Sequence, residues 1–310
     1  YHGMEYRLVF GVCIVEDRTA HTRRHGDNAS LVRQLIKGNA LINIGFYSSD
    51  MKNDLKKKQS IEDDMHKALL NNEFVMFMQP KHSIKSGRII GAEALARWIH
   101  PTKGMVSPAD FIPVFEENGC IVKLDAFIWE EACKRIRSWI DNGIEPVPIS
   151  VNISREYIHT FDVKGTLMKL IEKYDIPISL LELEITESLD GKGVEEIVKD
   201  MKNAGFKMLM DDFGSGYSSL NMLKSTPFDV LKIDKSFLDE FMESDRGRKI
   251  IEHTISMSQD IGLDIIAEGV ETGEQAQFLS ACGCDSAQGF FYSKPIPAAE
   301  FDKRLLEINN

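Results

Sequence analysis

The sequence predicts an α/β protein whose main body is a TIM-like (β/α)8 barrel with an antiparallel first strand, preceded by a small α+β fragment. Three observations carry that expectation. From Phe74 onward, strand-like runs alternate with amphipathic helical segments, which implies parallel neighbours in one sheet. Eight such runs over this length match a closed barrel. Seven of them end in a carboxylate, amide or amine, and polar groups converging from many strand ends are how a barrel builds an active site.

Taken in order, residues 8–15 (LVFGVCIV) read as a strand, 16–29 as a polar loop, 30–42 as a helix and 43–48 as a short strand. So little structure cannot bury much core by itself, so residues 1–50 read as the end of a truncated domain. The charged stretch 51–72 carries Met51, Leu55, Ile61, Met65 and Leu69 at helical spacing and reads as a linker helix. The barrel is expected over 73–310. Its strands lie near 74–80, 89–98, 147–153, 180–186, 207–212, 230–234, 264–269 and 286–292. The helices between them include 122–142, 160–174, 193–204, 236–261 and 272–282.

The first connection differs from the rest. Between Pro80 and Ile89 stands only KHSIKSGR, too short for a parallel crossover. Ser86-Gly87 makes a good turn, so the first two strands should form an antiparallel hairpin with Gln79 opposite Glu93. Directly opposed residues share a face, which brings Gln79 to the same polar mouth.

Side chains alternate along a strand. Counting by twos puts Glu93 with Leu95 and Arg97, Asn152 with Ser150 and Ser154, Glu184 with Thr186, Asp211 with Leu209, and Lys232 with Asp234. Val151/Ile153, Leu183/Ile185, Met208/Met210 and Leu231/Ile233 fall on the opposite faces, suited to packing against helices. Glu268 and Gln288 end the last two strands.

Glu93, Asn152, Glu184, Asp211, Asp212 and Glu268 are all hard oxygen donors, and none of the eight histidines or five cysteines lies at a predicted strand end. Such a set favours Mg²⁺ or Mn²⁺ over Zn²⁺, and adjacent aspartates can flank a metal pair. Without cations so many carboxylates would repel one another. Arg97 could grip a phosphate through its planar fork, and Lys232 is placed to hold an attacking water. After Asp212 comes a loop with Gly214 and Gly216. Singly, each residue has a plainer reading: Asp211-Asp212-Phe213-Gly214 as a turn with Ser215 or Ser218 as a cap, Arg97 and Lys232 as partners of Glu182 or Asp234, and Glu187 as a helix cap. Ionisable groups on the same face of six strands are hard to explain as core building, so the functional reading leads.

The bulk numbers narrow the partners. With 43% hydrophobic and 27% charged residues and a net charge of −11, a surface for duplex nucleic acid is not expected. A phosphate ligand is compatible if metal ions reverse the local field. Five scattered cysteines read as reduced core thiols. No apolar run reaches membrane-spanning length, so no membrane contact is expected from this stretch and a cytoplasmic setting is. The chain opens at Tyr1 within a strand-like run, as a piece of a longer protein would, and that parent could be anchored upstream.

EALARW, VNIS, LELEITES, DDFGSGYSSL, LKIDKSF, AEGVE and QGFFYSKP, in this order, resemble the EAL-domain family of cyclic di-GMP phosphodiesterases over about residues 61–310. The resemblance implies a barrel with an antiparallel first strand, two Mg²⁺ or Mn²⁺ ions, hydrolysis of cyclic di-GMP to linear pGpG, and a homodimer through the barrel. Glu93, Asn152, Glu184 and Asp211 match the first-metal ligands; Asp211, Asp212 and Glu268 match the second. Lys232 matches the lysine near the nucleophilic water, Glu187 the glutamate that braces the DDFG loop, and Gln79, Leu95, Arg97 and Gln288 substrate-binding positions. Ser215 and Met78 depart from frequent threonine and tyrosine without removing a ligand. Residues 1–50 resemble the tail of a GGDEF domain, without the GGDEF sequence itself, so no cyclase activity is implied. The alternative function within the resemblance is a catalytically weak cyclic di-GMP receptor. A carbon-chemistry barrel with a Schiff-base lysine is disfavoured, because the carboxylates around Lys232 oppose a neutral amine.

Overall fold

The computed structural model describes residues 8–15, 22–36, 43–160, 162–187, 192–214 and 219–309. Ser215, Gly216 and Ser218 of the expected loop, and Ser188 of the expected helix start, lie outside the described residues. By packing, the chain divides into two compact units between His66 and Lys67, inside a long helix.

In the first unit, strands β1 (Phe10–Val12) and β2 (Ile44–Phe46) pair in parallel beside helix α1 (Thr22–Ile36). The helix crosses so closely that a Cβ on Gly11 would lie 1.9 Å from the Ala29 carbonyl oxygen, which is why this strand needs glycine there. The helix begins at Thr22, inside the stretch expected to be loop up to residue 29. Its polar, weakly amphipathic first turns gave no apolar periodicity to detect. Helix α2 (Ser49–Leu70) follows, as the spacing of its apolar residues predicts.

The second unit is the barrel. Its elements are β3 (Phe74–Ser83), β4 (Ile89–His100), β5 (Gly104–Val106), α3 (Pro108–Glu117), α4 (Ile121–Asp141), β6 (Ile149–Asn152), α5 (Arg155–Thr160), α6 (Val163–Tyr174) and β7 (Leu181–Thr186). There follow α7 (Lys192–Ala204), β8 (Lys207–Phe213), α8 (Ser219–Ser225), β9 (Val230–Ile233), α9 (Lys235–Met242), α10 (Asp245–Asp260), β10 (Asp264–Ala267), α11 (Gly273–Ala281), β11 (Ser286–Ala287), β12 (Ile296–Pro297) and α12 (Ala298–Asn309). The barrel closes in the order β3-β11-β10-β9-β8-β7-β6-β4 and back to β3. β3 is antiparallel to β4, β11 and β12, while β4, β6, β7, β8, β9, β10 and β11 run parallel to their successive neighbours. The hairpin register places Gln79 opposite Glu93, as the short connection requires.

The outward faces are the apolar ones. Val151, Leu183, Ile185, Met208, Met210, Leu231 and Ile233 are fully buried under the helices. On the hairpin, the cross-strand pair Phe74 and Trp98 packs tilted at 5.4 Å between centroids and meets Phe111 and Phe115 of α3 edge-on. Aromatic pairs of this kind add about 0.5–1.5 kcal/mol beyond their burial.

Two expectations need correction. The segment 236–261 is two helices, because the Ser244 hydroxyl accepts from Gly247 N–H at 3.0 Å and starts α10 anew. The last strand, expected over 286–292, has strand geometry only at Ser286–Ala287, although Gln288 N–H still donates to the Ala267 carbonyl at 2.8 Å. The chain then turns at Gly289, whose Cβ would lie 2.2 Å from the Val270 carbonyl oxygen. Of the five cysteines, all are free, with Cys120, Cys133 and Cys284 buried and Cys13 and Cys282 half-buried. Among the described residues no helix is long and apolar enough to cross a membrane.

Candidate active site

The mouth is built at the C-terminal ends of the parallel strands and at Gln79 on the reversed strand. Glu93 on β4, Asn152 on β6, Glu184 on β7, Asp211 and Asp212 on β8, Lys232 on β9, Glu268 just past β10 and Gln288 just past β11 all reach it. Carboxylate oxygens of Glu93, Glu184 and Asp211 lie within 4.8 Å of one another, as do those of Asp211, Asp212 and Glu268. Two acidic triads therefore share Asp211.

Strict alternation would send Asp212 away from Asp211, and the backbone explains why it does not. The β8–β9 register shifts between Met210 and Phe213, so Asp211 and Asp212 together face Lys232. This bulge puts Asp212 in the left-handed region, at φ 58°. Aspartate tolerates that conformation better than most residues, and strain of about 1–3 kcal/mol held at a site is a mark of function. Next along the chain, Gly214 has φ +97°, and a Cβ there would lie 2.4 Å from the Phe237 ring. Its N–H donates to the Glu187 carboxylate at 3.1 Å, and Glu187 N–H donates to the Asp211 carbonyl at 3.0 Å. Glu187 is thus tied to the aspartate bulge at both ends.

Lys232 lies at the centre, fully buried. Its Nζ is 2.6 Å from Glu184 Oε2, 2.7 Å from Glu268 Oε1, 2.9 Å from Asp211 Oδ1 and 3.4 Å from Glu93 Oε2. Its partners are therefore mouth carboxylates, neither Glu182 nor Asp234; Asp234 instead caps α9, accepting from Ser236 N–H at 2.8 Å. Burial opposes the Lys232 charge, but the surrounding carboxylates outweigh it and push its pKa well above the usual lysine value. The four carboxylates around it disfavour a neutral, Schiff-base-forming amine here.

The carboxylates divide by environment. Burial and like charges push Glu93, Asp211 and Asp212 up, and Glu268 well up. Burial pushes Glu184 up too, but Lys232 and Lys81 overcome it and hold it at about 2. Glu268 Oε1 and Gln288 Oε1 are buried without an aligned hydrogen-bond donor, although Lys232 is in charge contact with the former. Crowded hard oxygens, with the Gln288 side-chain oxygen buried beside them without a donor, fit a divalent cation of the Mg²⁺ or Mn²⁺ type.

Around the triads, Gln288 Nε2 donates to Glu93 Oε2 at 2.5 Å and to Gln79 Oε1 at 3.1 Å. Asn152 Nδ2 reaches Glu93 Oε1 at 3.5 Å. Arg97 is half-buried, donates to the Ala96 carbonyl at 2.8 Å and lies 5.6 Å over the Phe77 ring, so it is not paired with Glu182 or Asp234. A cavity of about 620 Å³ lined by Arg97, Ile112, Ile128 and Asp125 opens on one side of the mouth. Another of about 330 Å³, lined by Gln79, Glu268, Gln288 and Phe290, opens on the other. Both reach Leu95, Asp211 and Asp212.

The sequence reading overlooked the floor of this site. Lys81, Ser150 and Glu182 are buried directly beneath the mouth. Glu182 and Ser150 share the inward parity of Glu184 and Asn152, and that parity was the available signal.

The family model described as EAL domain matches residues 62–295. The chain is 37% identical over 265 residues to the signaling protein YkoW of Bacillus subtilis, covering 84% of this chain and 33% of that protein. It is 34% identical over 258 residues to the bifunctional diguanylate cyclase/cyclic di-GMP phosphodiesterase MucR of Pseudomonas aeruginosa, covering 82% of this chain and 38% of that one. The chain thus spans about a third of the length of these curated relatives. Among solved structures, the MucR phosphodiesterase in complex with c-di-GMP superposes with a TM-score of 0.74 at 34% identity, covering 78% of this chain and 99% of that one. The EAL enzyme Bd1971, in a form bound to cAMP and cyclic di-GMP, superposes at 0.76 with 29% identity, covering 93% and 77%.

Proposed function

The chain belongs to the EAL-domain family, and on that premise we propose that it hydrolyses cyclic di-GMP to linear pGpG with two divalent cations. The observation that carries this reading is the pair of carboxylate triads sharing Asp211. Glu93, Asn152, Glu184 and Asp211 would hold one ion, and Asp211, Asp212 and Glu268 the other. Bound there, Mg²⁺ or Mn²⁺ supplies Lewis acidity and a water acidic enough to attack near neutral pH.

The remaining steps belong to the chain's own groups. Lys232 keeps the mouth carboxylates together and would turn one N–H to the attacking oxygen where a bound ion takes over one of those carboxylates. Arg97 grips a non-reacting phosphate oxygen with its fork. Gln79 and Gln288 orient the substrate from the reversed strand and the strand beside it, and Leu95 packs where the two cavities meet. The water oxygen joins phosphorus, the bond from phosphorus to one ribose oxygen breaks, and that oxygen gains the proton given up by the attacking water. Glu187 acts through the loop by fixing Gly214 and Asp211.

The same reading makes residues 1–50 the C-terminal end of a GGDEF-like domain, 51–72 its connecting helix and 73–310 the phosphodiesterase barrel. It also includes a homodimer through the barrel, checked by light scattering, and a cytoplasmic setting. The direct test is incubation with cyclic di-GMP and Mg²⁺ or Mn²⁺, with nucleotides followed by chromatography. Appearance of pGpG, lost in chelator and in Ca²⁺, supports the reading. Tight binding without turnover would replace it with the receptor, and neither binding nor turnover would remove both.

A further inference from the structure

Below the mouth the barrel interior turns apolar on one side only, at the buried cluster of Leu209, Val230 and Ile266, whereas the filled layers of such barrels are usually apolar throughout. Lys81, on the reversed strand β3, is 2% exposed and extends across the interior. Its Nζ donates to Ser150 Oγ of β6 at 2.7 Å, to Glu184 Oε1 at 3.2 Å and to Glu182 Oε2 at 3.3 Å, the last two on β7. The other oxygen of Glu184 receives Lys232 at 2.6 Å. Beyond Glu182, Lys207 lies 3.9 Å away and pairs with Asp264 at 3.0 Å on the opposite rim. Charges therefore alternate along the barrel axis: Asp264, Lys207, Glu182, Lys81, Glu184, Lys232, and then the mouth carboxylates.

A buried cation is a costly way to fill a core, since apolar residues of similar volume are often as stable or more so. A lysine serving only to neutralise Glu182 would need no third contact. Lys81 instead places a donor on Glu184, whose two oxygens each receive a lysine. Burial opposes the Lys81 charge, but Glu184 and Glu182 outweigh it and keep the ammonium protonated.

We propose that Lys81 is a positioning residue that fixes the Glu184 carboxylate from below, with Ser150 and Glu182 holding the lysine itself in place. This rests on the reading that Glu184 helps hold a divalent ion. A carboxylate held from behind presents its remaining lone pairs in one orientation, and partners of this outer kind typically affect metal affinity by about 10–100-fold.

The test compares wild type, Lys81→Met and Lys81→Met/Glu182→Gln. The readouts are Mn²⁺ affinity without substrate by equilibrium dialysis, melting temperature, and kcat and KM for cyclic di-GMP. Lys81→Met should melt earlier, bind Mn²⁺ at least about tenfold more weakly, and lose kcat with KM little changed. The double variant removes the charge left unpaired by the first change, so its melting temperature should recover while Mn²⁺ affinity and kcat stay low. It also carries the test if the single variant does not fold. Recovery of Mn²⁺ affinity in the double variant would reduce Lys81 to a counter-ion of Glu182 and overturn the proposal. So would wild-type Mn²⁺ affinity in Lys81→Met. A wild type that binds Mn²⁺ in a Lys81-dependent way yet leaves cyclic di-GMP intact would instead overturn the proposed reaction and uphold Lys81.

Discussion

Met210 and Asp211 are neighbours on β8, both buried, yet they belong to opposite sides of the barrel wall. Met210 faces the helical shell with Met208, Leu183 and Leu231, where burial stabilises by about 1.5–3 kcal/mol per large side chain. Asp211 faces the interior, where burial and like charges oppose its ionisation. One side of a 7-residue strand secures the fold, and the other holds what the fold alone would not favour. The wall separates stability from chemistry at the resolution of single residues.

The largest test of that separation is Asp211→Asn. Turnover of cyclic di-GMP should fall on the order of a thousandfold, because the shared group of both triads is lost. The melting temperature should hold or rise, since one of several crowded like charges is gone. Turnover assays and thermal melts read the two effects separately. A variant that unfolds would show that Asp211 belongs to the structural side.

Met210→Ala should do the reverse. It should lose about 2–5 kcal/mol of stability in urea titrations, with kcat unchanged at temperatures where the protein stays folded. A large fall in kcat there would mean that shell packing sets the mouth geometry directly, and the two faces are not separable.

Glu184 and Asp125 sharpen the comparison in terms of charge. Glu184 has two lysines and sits at about 2. Asp125, on α4 beside the larger cavity, is pushed by burial to about 7 with Glu116 and Glu156 as charged neighbours. The folded protein then keeps a proton on Asp125 that the unfolded chain releases. Its contribution is present below pH 3.8 and is lost as pH rises to about 7. Asp125→Asn keeps an acceptor for Ser154 N–H, which Asp125 receives at 3.0 Å. The variant should therefore gain stability relative to wild type between pH 5 and pH 8, as measured by urea unfolding at each. An equal difference at both pH values would mean that Asp125 is ionised throughout.

Glu187→Ala should show the smallest structural effect. Leaving the Gly214 N–H unpaired costs roughly 1 kcal/mol, while activity and Mn²⁺ affinity should fall about tenfold through the freed bulge. A lowered melt with unaltered catalysis would make Glu187 a structural group only.

Most of the mouth was legible because strand alternation is rigid. Glu93, Glu184, Asp211 and Lys232 all lie inward, as counting by twos expects, although Asp234, counted with Lys232, instead caps α9, and the length of the hairpin fixed Gln79 against Glu93. What escaped was what breaks the rule of two. The bulge that turns Asp212 toward Asp211 leaves no mark in composition, because aspartate is ordinary at strand ends. Lys81 falls in the connection expected after Pro80, but β3 continues to Ser83. Pro80 is tolerated within β3 because its partner Ala92 directs its own N–H to Pro148 at 2.9 Å instead. The break between α9 and α10 falls in the polar run 243–249 (ESDRGRK), where no apolar residue marks either helix and only the Ser244 cap reveals the joint.

The reversed strand also sets the order in which the site can be assembled. β3 meets β4 through a local hairpin, but the seam that closes the barrel joins β3 to β11 and β12 at the far end of the chain. The Gln288–Gln79 and Gln288–Glu93 hydrogen bonds lie on that seam, between residues 209 and 195 positions apart. Contacts so distant in sequence form late, because the entropy of closing the loop is paid before they can contribute. The mouth is therefore finished by the same event that finishes the fold. During synthesis, a chain that has not yet released Gln288 has most of its mouth carboxylates but no closed barrel to hold them in, so the acidic cage and the completed protein come into being together.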